Sequence, residues 1–195
     1  MQRRVACRVT TIVTAMGLLL LGNTAYATEH LFEAVGMAKL PSKPATGFTL
    51  PTLDGTQVSL QSHRGKVVFL NFWATWCIPC REEMPAMEQL HQTFRSQGLT
   101  ILAVNLKESP EQVKAFMDQY HLSFTVLLDH DGSVFRDYTV MGLPTTYLIS
   151  REGMLLARGV GGRDWTKAEG KDLIRALLAG GSAESSRNKS LEGGN

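Results

Sequence analysis

The residues that build most zinc sites, histidine and cysteine, are scarce in this sequence. Its 195 residues include five histidines and three cysteines, of which only Cys77 and Cys80 are close together. A closed zinc site needs four ligands, and neither a second C-x-x-C nor a pair of histidines accompanies these two cysteines. Zinc is therefore a poor interpretation of the motif, although two soft thiolates could hold copper(I) as an additional property.

The sequence also has no apolar run long enough for a comfortable membrane span. The apolar run at residues 12–22 follows Arg3, Arg4 and Arg8 and precedes the small-x-small triplet at residues 25–27. This order predicts a secretory signal over residues 1–27, with an uncleaved N-terminal anchor as the alternative. Cys7 precedes the apolar run, so we expect it to leave with the signal.

Without residues 1–27 the chain has little net charge, because 17 basic residues then face 18 acidic ones. No basic patch argues for nucleic acid, and the remaining length suits one domain with a proper core. Exported chains normally use cysteines as structural disulfides. The loop between Cys77 and Cys80 is too short to constrain the unfolded chain, so this pair favours redox chemistry.

The two cysteines lie at a predicted junction between a strand and a helix. Residues 67–73 form an apolar, β-branched run typical of a buried strand, and a helical pattern begins at Ile78. This places Cys77 at a helix N-terminus, where free N–H groups and the helix dipole favour an anion. Since the thiolate is the reactive form of cysteine, we predict Cys77 as the nucleophile. Cys80, one turn later, closes the disulfide.

The remaining elements alternate between strands and helices. A hairpin is predicted around Asp54-Gly55, and a helix from Ser109 to His121 with Ser109 as its N-cap. Further strands are predicted at residues 99–106, 124–128, 142–149 and 154–160, and a last helix from Asp164 to about residue 179. This pattern predicts an α/β fold, a three-layer sandwich with a mixed central sheet. We expect a poorly packed tether at residues 28–45, one domain at 46–180 and a disordered tail at 181–195.

The residues around the dithiol resemble the active site of the thioredoxin superfamily. The resemblance is carried by residues 71–74 and 76–80 (Asn-Phe-Trp-Ala and Trp-Cys-Ile-Pro-Cys). The hairpin, the α/β insertion at 109–128 and the Gly-Leu-Pro-Thr-Thr-Tyr-Leu-Ile segment at 142–149 resemble the TlpA/ResA/CcmG branch. That branch contains exported, membrane-associated thiol-disulfide reductases, several of which serve cytochrome c maturation. The resemblance covers roughly residues 40–180 and implies a thioredoxin-like fold.

The resemblance also implies where a client protein binds. It places a cis peptide bond before Pro144, against the dithiol, although only about 5–6% of X–Pro bonds are cis in general. The alternative is an ordinary trans proline at the start of an edge strand. A cis bond would leave the Leu143 backbone free to pair with an extended client segment. The resemblance implies these substrate-binding residues: Trp76, Ile78, Pro79, Leu143 and Pro144.

Glu83 is a candidate proton acceptor for Cys80. It lies three residues after Cys80 and therefore on the same face of the helix, whereas Glu82 points away. Thioredoxin has a buried aspartate at the strand position that Asn71 occupies here, and ResA-like proteins have a glutamate at the position of Glu83. We expect burial to raise the pKa of Glu83. The alternative is a solvated glutamate in the first turn of a helix.

A peroxidase of the related peroxiredoxin type is the main enzymatic alternative. It requires Thr or Ser three residues before the nucleophile and Pro seven before it. Those positions hold Ala74 and Leu70, so the alternative fails.

The sequence thus favours a periplasmic, monomeric reductase of client disulfides that acts through Cys77, Cys80 and Glu83. The resemblance implies a membrane electron donor of the DsbD or CcdA kind and apocytochrome c as client. The alternative is a copper-site assembly factor that reduces or metallates cysteines of an oxidase subunit. Apart from the redox disulfide we expect no cofactor.

Overall fold

The computed structural model describes residues 30–192, and of residues 181–192 only the backbone. The predicted signal at residues 1–27 lies outside this range. Within the described residues, no helix has the length and apolar character needed to cross a membrane. The strands are β1 (Ala38–Lys39), β2 (Thr49–Pro51), β3 (Gln57–Ser59), β4 (Val67–Trp73), β5 (Leu99–Leu106), β6 (Thr125–Asp129), β7 (Thr145–Ile149) and β8 (Leu155–Val160).

Six of these strands form one mixed sheet in the order β1-β8-β7-β4-β5-β6, while β2 and β3 form a separate hairpin. The central strand β4 pairs in parallel with β5 and antiparallel with β7. All seven residues of β4 are buried, as expected for an apolar strand covered on both faces. The predicted mixed sheet and the hairpin at Asp54-Gly55 are both confirmed.

Helices and the hairpin cover the two faces of the sheet. The helices are α1 (residues 30–34), α2 (Ile78–Phe94), α3 (Pro110–Gln119), α4 (Ser133–Asp137) and α5 (Ala168–Glu192). Because side chains alternate along a strand, Phe69 and Trp73 of β4 pack with buried residues of α2, α3 and α5. Leu70 and Phe72 pack on the other face with the hairpin and α4. The sheet is therefore the middle of three layers.

The stretch at residues 28–45, which we expected to be poorly packed, contributes two side chains to the core where the structure describes it. Phe32 and Met37 are 5% and 3% exposed and belong to the same core cluster as α2. Strand β1 pairs antiparallel with β8, with Ala38 opposite Arg158. The expectation rested on polar composition, and two apolar residues five positions apart form no helical or strand period. Their packing comes from core residues that are distant in the sequence, including those of α2.

The C-terminal helix also differs from the prediction. Asp164 does not cap it, because α5 begins at Ala168. Asp164 Oδ1 instead accepts a hydrogen bond from the Thr166 N–H at 3.0 Å, which closes a turn. The backbone of α5 continues to Glu192 instead of ending near residue 179. Residues 183–192 include several good helix formers (Ala, Glu, Arg, Lys and Leu), so the glycines at 180 and 181 do not end the helix.

Candidate active site

The dithiol lies where β4 ends and α2 begins. Cys77 is the N-cap of α2, and its Sγ accepts a hydrogen bond from the Cys80 N–H at 3.3 Å. The two cysteines are joined as a disulfide. Cys77 is 5% exposed and lines a surface groove, whereas Cys80 has no exposed surface. A client can therefore reach the first sulfur and not the second.

The groove beside Cys77 has a volume of about 530 Å³ and an apolar lining. Trp76, Ile78 and Met141 form its exposed rim, and they are 64%, 65% and 85% exposed. Such large apolar side chains in contiguous exposed positions mark surfaces that bind other molecules. Of the substrate-binding residues predicted from the sequence, Trp76, Ile78, Pro79 and Leu143 line this groove.

The peptide bond between Leu143 and Pro144 is cis, as predicted. Pro144 precedes β7, and its C=O accepts a hydrogen bond from the Gly161 N–H at 2.8 Å. Leu143 and Cys77 line the same groove. Two segments that are 66 residues apart in the sequence thus form one site.

Glu83 is buried, with 2% of its surface exposed. Its Oε1 accepts a hydrogen bond from Asn71 Nδ2 at 2.9 Å, and its Oε2 accepts one from the Arg163 N–H at 3.1 Å. Asn71 in turn donates to Thr146 Oγ1 at 3.1 Å. Burial raises the pKa of Glu83 to about 7, although these hydrogen bonds and the Arg163 charge act to lower it. Glu83 therefore changes charge near neutral pH.

The position of Glu83 agrees with the expectation that burial would raise its pKa. It is on the same helix as Cys80, one turn later, and residues three apart are neighbours on a helix surface. Glu82 is exposed, as its place on the helix predicted. Both glutamates line a small cavity of about 290 Å³ that also touches the loop at residues 162–164.

Glu108 is also part of this site, although it was not among the residues predicted from the sequence. Its Oε2 accepts hydrogen bonds from the Thr75 N–H and from Asn105 Nδ2, both at 2.7 Å, and its Oε1 bonds the Thr75 hydroxyl. Thr75 stands two residues before Cys77, so Glu108 fixes the segment that presents the nucleophile. A signal was available, since Glu108 follows the carboxyl end of β5, where sites of parallel sheets lie.

Arg163 was not predicted to be part of the site either, and the sequence carries no signal for it. Its N–H reaches Glu83 across 80 positions of the chain. That contact depends on the path of the loop between β8 and α5, which no local pattern predicts.

Within residues 30–192, no group of three or more His, Cys, Asp or Glu side chains is arranged to hold a metal ion. The soft donors at the site are the two sulfurs of Cys77 and Cys80, which would have to be reduced first.

Comparison with known proteins places the chain in a family. The family model described as the AhpC/TSA family matches residues 41–158, which is more than half of the chain. The chain belongs to the AhpC/TSA family. The thioredoxin-like protein YneN of Bacillus subtilis (strain 168) is 41% identical over 145 residues, which cover 71% of this chain and 84% of YneN. The thiol-disulfide oxidoreductase ResA of Geobacillus thermodenitrificans (strain NG80-2) is also 41% identical, over 78% of this chain and 84% of its own.

Solved structures agree with these relatives. A putative thiol:disulfide interchange protein DsbE from Chlorobium tepidum is 37% identical with a TM-score of 0.66, over 72% of this chain and 99% of its own. A secreted disulfide oxidoreductase from Mycobacterium tuberculosis is 26% identical with a TM-score of 0.56, over 68% and 95%. This AhpC/TSA family member is thus a thiol-disulfide oxidoreductase of the ResA/DsbE kind with a thioredoxin-like fold.

Although the chain belongs to the AhpC/TSA family, its residues still disfavour a peroxidase. The position three residues before Cys77 holds Ala74. Ala74 has no hydroxyl to offer a peroxide, so the residues of this site favour disulfide exchange.

Proposed function

We propose that this protein reduces disulfides of client proteins outside the cytoplasm. The Cys77 thiolate attacks one sulfur of a client disulfide, which forms a mixed disulfide and releases the first client thiolate. The Cys80 thiolate then attacks Cys77 Sγ, which closes the Cys77–Cys80 disulfide and releases the second client thiolate. Two electrons pass from the dithiol to the client in each cycle.

The observation that carries this proposal is the buried carboxyl of Glu83. Cys80 must lose its proton before it can attack, and it is sealed from solvent. Glu83 is its neighbour on α2 and has a pKa of about 7, which suits a general base at neutral pH. We therefore assign Glu83 as the acceptor of the Cys80 proton, with Asn71 as its hydrogen-bond partner.

The groove supports a protein client more than a small thiol. Its rim of Trp76, Ile78 and Met141 is apolar and exposed, so it can bury side chains on both sides of a client cysteine. We propose that Leu143 contacts the client backbone, with Pro79 completing the wall beside Cys77. Pro144 is buried and is not among the residues that line the groove, so we assign it no direct client contact.

We propose apocytochrome c as the client, because its C-x-x-C-H cysteines must be reduced before haem attachment. The similarity to ResA and DsbE proteins supports this assignment. The compartment is oxidising, so electrons must come from a membrane donor of the DsbD or CcdA kind. The signal-like residues 1–27 and the secreted M. tuberculosis relative support a location outside the cytoplasm.

A trapping experiment tests the proposal. Cys80→Ser should attack clients through Cys77 and stall as a mixed disulfide, whereas Cys77→Ser should form no adduct. Mass spectrometry of adducts formed in the producing cell should identify c-type apocytochromes. Stable adducts from Cys77→Ser instead of Cys80→Ser would reverse the assignment of the two cysteines, and adducts without any apocytochrome would refute the proposed client.

Anaerobic copper(I) titration of the reduced protein separates this proposal from a copper-site assembly role. We expect weak binding. Tight stoichiometric binding that is lost in Cys77→Ser would favour metal handling, because soft thiolates are the ligands copper(I) prefers.

A further inference from the structure

Arg163 joins two pairs of neighbouring backbone carbonyls, and the two pairs lie far apart in the sequence. Its Nε donates to the C=O of Val35 and its Nη2 to that of Gly36, both at 2.8 Å. The same guanidinium donates to Gly161 at 2.6 Å and to Val160 at 3.3 Å. The five donors of a guanidinium lie in a rigid fork, so Arg163 fixes the N-terminal segment (residues 30–37) to the loop after β8.

The backbone of the same residue contacts the active site. The Arg163 N–H donates to Glu83 Oε2 at 3.1 Å. The preceding residue, Gly162, lies so close to α2 that a Cβ there would come within 2.9 Å of the Pro79 carbonyl oxygen. The loop therefore rests directly on the first turn of the helix that carries the dithiol.

The space for the Arg163 guanidinium is provided by Gly159 in β8. A Cβ at this position would lie 2.4 Å from the guanidinium carbon. Glycine in a strand interior weakens the strand and often marks a close approach. The absence of a side chain at Gly159 in β8 therefore leaves room for the Arg163 guanidinium.

We propose that Arg163 is a positioning residue for Glu83, and that it makes the N-terminal segment a structural support of the proton acceptor. The inference rests on the proposed role of Glu83 as the base for Cys80. Fixing the guanidinium at four carbonyls fixes the backbone of the loop, and the loop holds one oxygen of the Glu83 carboxylate.

The charges around Glu83 determine the direction of the expected effect. The Arg163 cation and its N–H favour the ionised carboxylate and so lower the pKa of Glu83 against the effect of burial. Asn71 on β4 and Thr146 on β7 do not titrate. The remaining titratable groups near Glu83 are Glu82, Asp164 and, after reduction, the Cys77 and Cys80 thiols.

The test is a carboxyl titration of the oxidised protein, in which the cysteines do not titrate. With glutamate labelled by 13C at Cδ, the resonance lost in Glu83→Gln identifies Glu83. In Arg163→Gln we expect its pKa to rise by about one unit, at the low end of neighbouring-charge effects. Arg151→Gln is the matched control: Arg151 also donates to two backbone carbonyls, those of Gly65 and Leu178, at the other end of the sheet. It should leave the Glu83 titration unchanged.

Gly159→Ala tests the same contact without removing the charge from the chain. Its methyl group occupies the place of the guanidinium, so it should displace Arg163 and raise the pKa of Glu83 in the same direction. This variant also keeps the inference testable if Arg163→Gln does not fold.

The coupling to the N-terminal segment has its own pair of variants. Gly36 has φ +66°, and Gly55 in the β2–β3 turn has φ +84°, and neither would have an atom within 4 Å of an added Cβ. Valine is strained at either position. Gly36→Val should raise the pKa of Glu83 by moving a carbonyl that Arg163 binds, and Gly55→Val should not.

Turnover of the variants, measured as a function of pH, shows whether the inference or the proposed function fails. If the pKa of Glu83 rises from about 7 to about 8, its ionised fraction at pH 7 falls from about one half to about one tenth. Release of the client from the mixed disulfide should therefore slow about fivefold at pH 7 and recover near pH 9. In the Glu83→Gln background, Arg163→Gln should have no further effect.

The outcomes are distinct. If Glu83→Gln leaves client release unchanged, the proposed base is wrong. The second outcome is that Glu83→Gln slows release while the pKa of Glu83 in Arg163→Gln and Gly159→Ala is the same as in Arg151→Gln. In that case Arg163 only stabilises the fold, and the inference is overturned. A shift in Arg163→Gln without one in Gly36→Val would remove the N-terminal segment from the proposal.

Discussion

Glu83 is the residue whose charge state links the dithiol to pH. Its carboxylate, once formed, opposes a second anion nearby and should raise the apparent pKa of the thiols. Glu83→Gln keeps the shape of the side chain and removes the charge. We predict a lower apparent pKa of Cys77, seen as faster alkylation at mildly acid pH, together with slower release of the client from the mixed disulfide.

Glu82→Gln is the control for this prediction, because Glu82 is exposed on the same turn of α2. Since the thiols and Glu83 interact, the alkylation profile reports the titration of the cluster and not of one residue. If Glu83→Gln leaves both the profile and the release rate as they were, the acceptor of the Cys80 proton is another group.

The raised pKa of Glu83 also predicts how stability depends on pH. The folded protein keeps this proton up to about pH 7, whereas the carboxyl has an ordinary pKa of 4.5 when the chain is unfolded. The folded state therefore binds more protons between these values, and the free energy of unfolding falls by about 3 kcal/mol as pH rises through this window. In Glu83→Gln this fall in the free energy of unfolding should be absent.

Urea unfolding of the oxidised protein at a series of pH values measures this effect. The stability of Glu83→Gln relative to the wild type should increase by about 3 kcal/mol from pH 4 to pH 8. If the free energy of unfolding depends on pH in the same way in both proteins, the pKa of Glu83 is not raised in the folded state.

At the scale of elements, the end of β4 and the start of α2 depend on Glu108. Glu108→Ala leaves the Thr75 N–H and Asn105 Nδ2 without their acceptor. Leaving partly buried donors unpaired should cost about 1–3 kcal/mol of unfolding free energy. Turnover should fall about tenfold, because a shift of about 1 Å at a reacting group can cost up to about 100-fold.

Glu88→Ala is a matched control on the outer face of α2. Glu88 accepts hydrogen bonds from the Ser123 N–H at 2.8 Å and the Ser123 hydroxyl at 2.6 Å, away from the dithiol. It should cost similar stability in chemical denaturation and leave the alkylation and turnover rates of the dithiol unchanged. Equal kinetic losses in both variants would assign the effect of Glu108 to general destabilisation.

Elements with local signals were predictable from the sequence. Ser109 is the N-cap of α3 as predicted and forms a capping box with Gln112, and Cys77 stands at the predicted N-cap of α2. Short elements without a period were not. Helix α4 has five residues (Ser133–Asp137). It has fewer than two turns, so its sequence is too short to show the apolar stripe that predicts a helix. Asp164 is a good N-cap residue by type, yet it closes a turn four residues before α5.

The same division applies to the site. Glu83 was predictable because its distance from Cys80 along one helix fixes the face on which it lies. Met141 and Arg163 were not, since they reach the dithiol region from loops about 60 and 80 residues away. Their positions follow from tertiary packing, which no window of the sequence contains.

At the scale of the whole molecule, the N-terminal segment belongs to the folded domain. Phe32 is 5% exposed within the core cluster that includes α2. Phe32→Ala should therefore lower the free energy of unfolding by about 3–5 kcal/mol. Chemical denaturation measures this, with Met141→Ala as a control that should stay within about 0.5 kcal/mol because its side chain is 85% exposed. A small effect of Phe32→Ala would mean that the segment detaches readily.

The place of β4 in the sheet has a consequence for the lifetime of the enzyme. It pairs over all seven residues with β5 and over five with β7, so its amides should exchange with deuterium only when the whole domain opens. Cys77 follows this strand by four residues. Heating should therefore inactivate the dithiol at the temperature at which the domain melts. Many catalytic loops lose their structure at a lower temperature than the domain that carries them. Here we expect the loss of activity and the unfolding of the domain to occur at the same temperature.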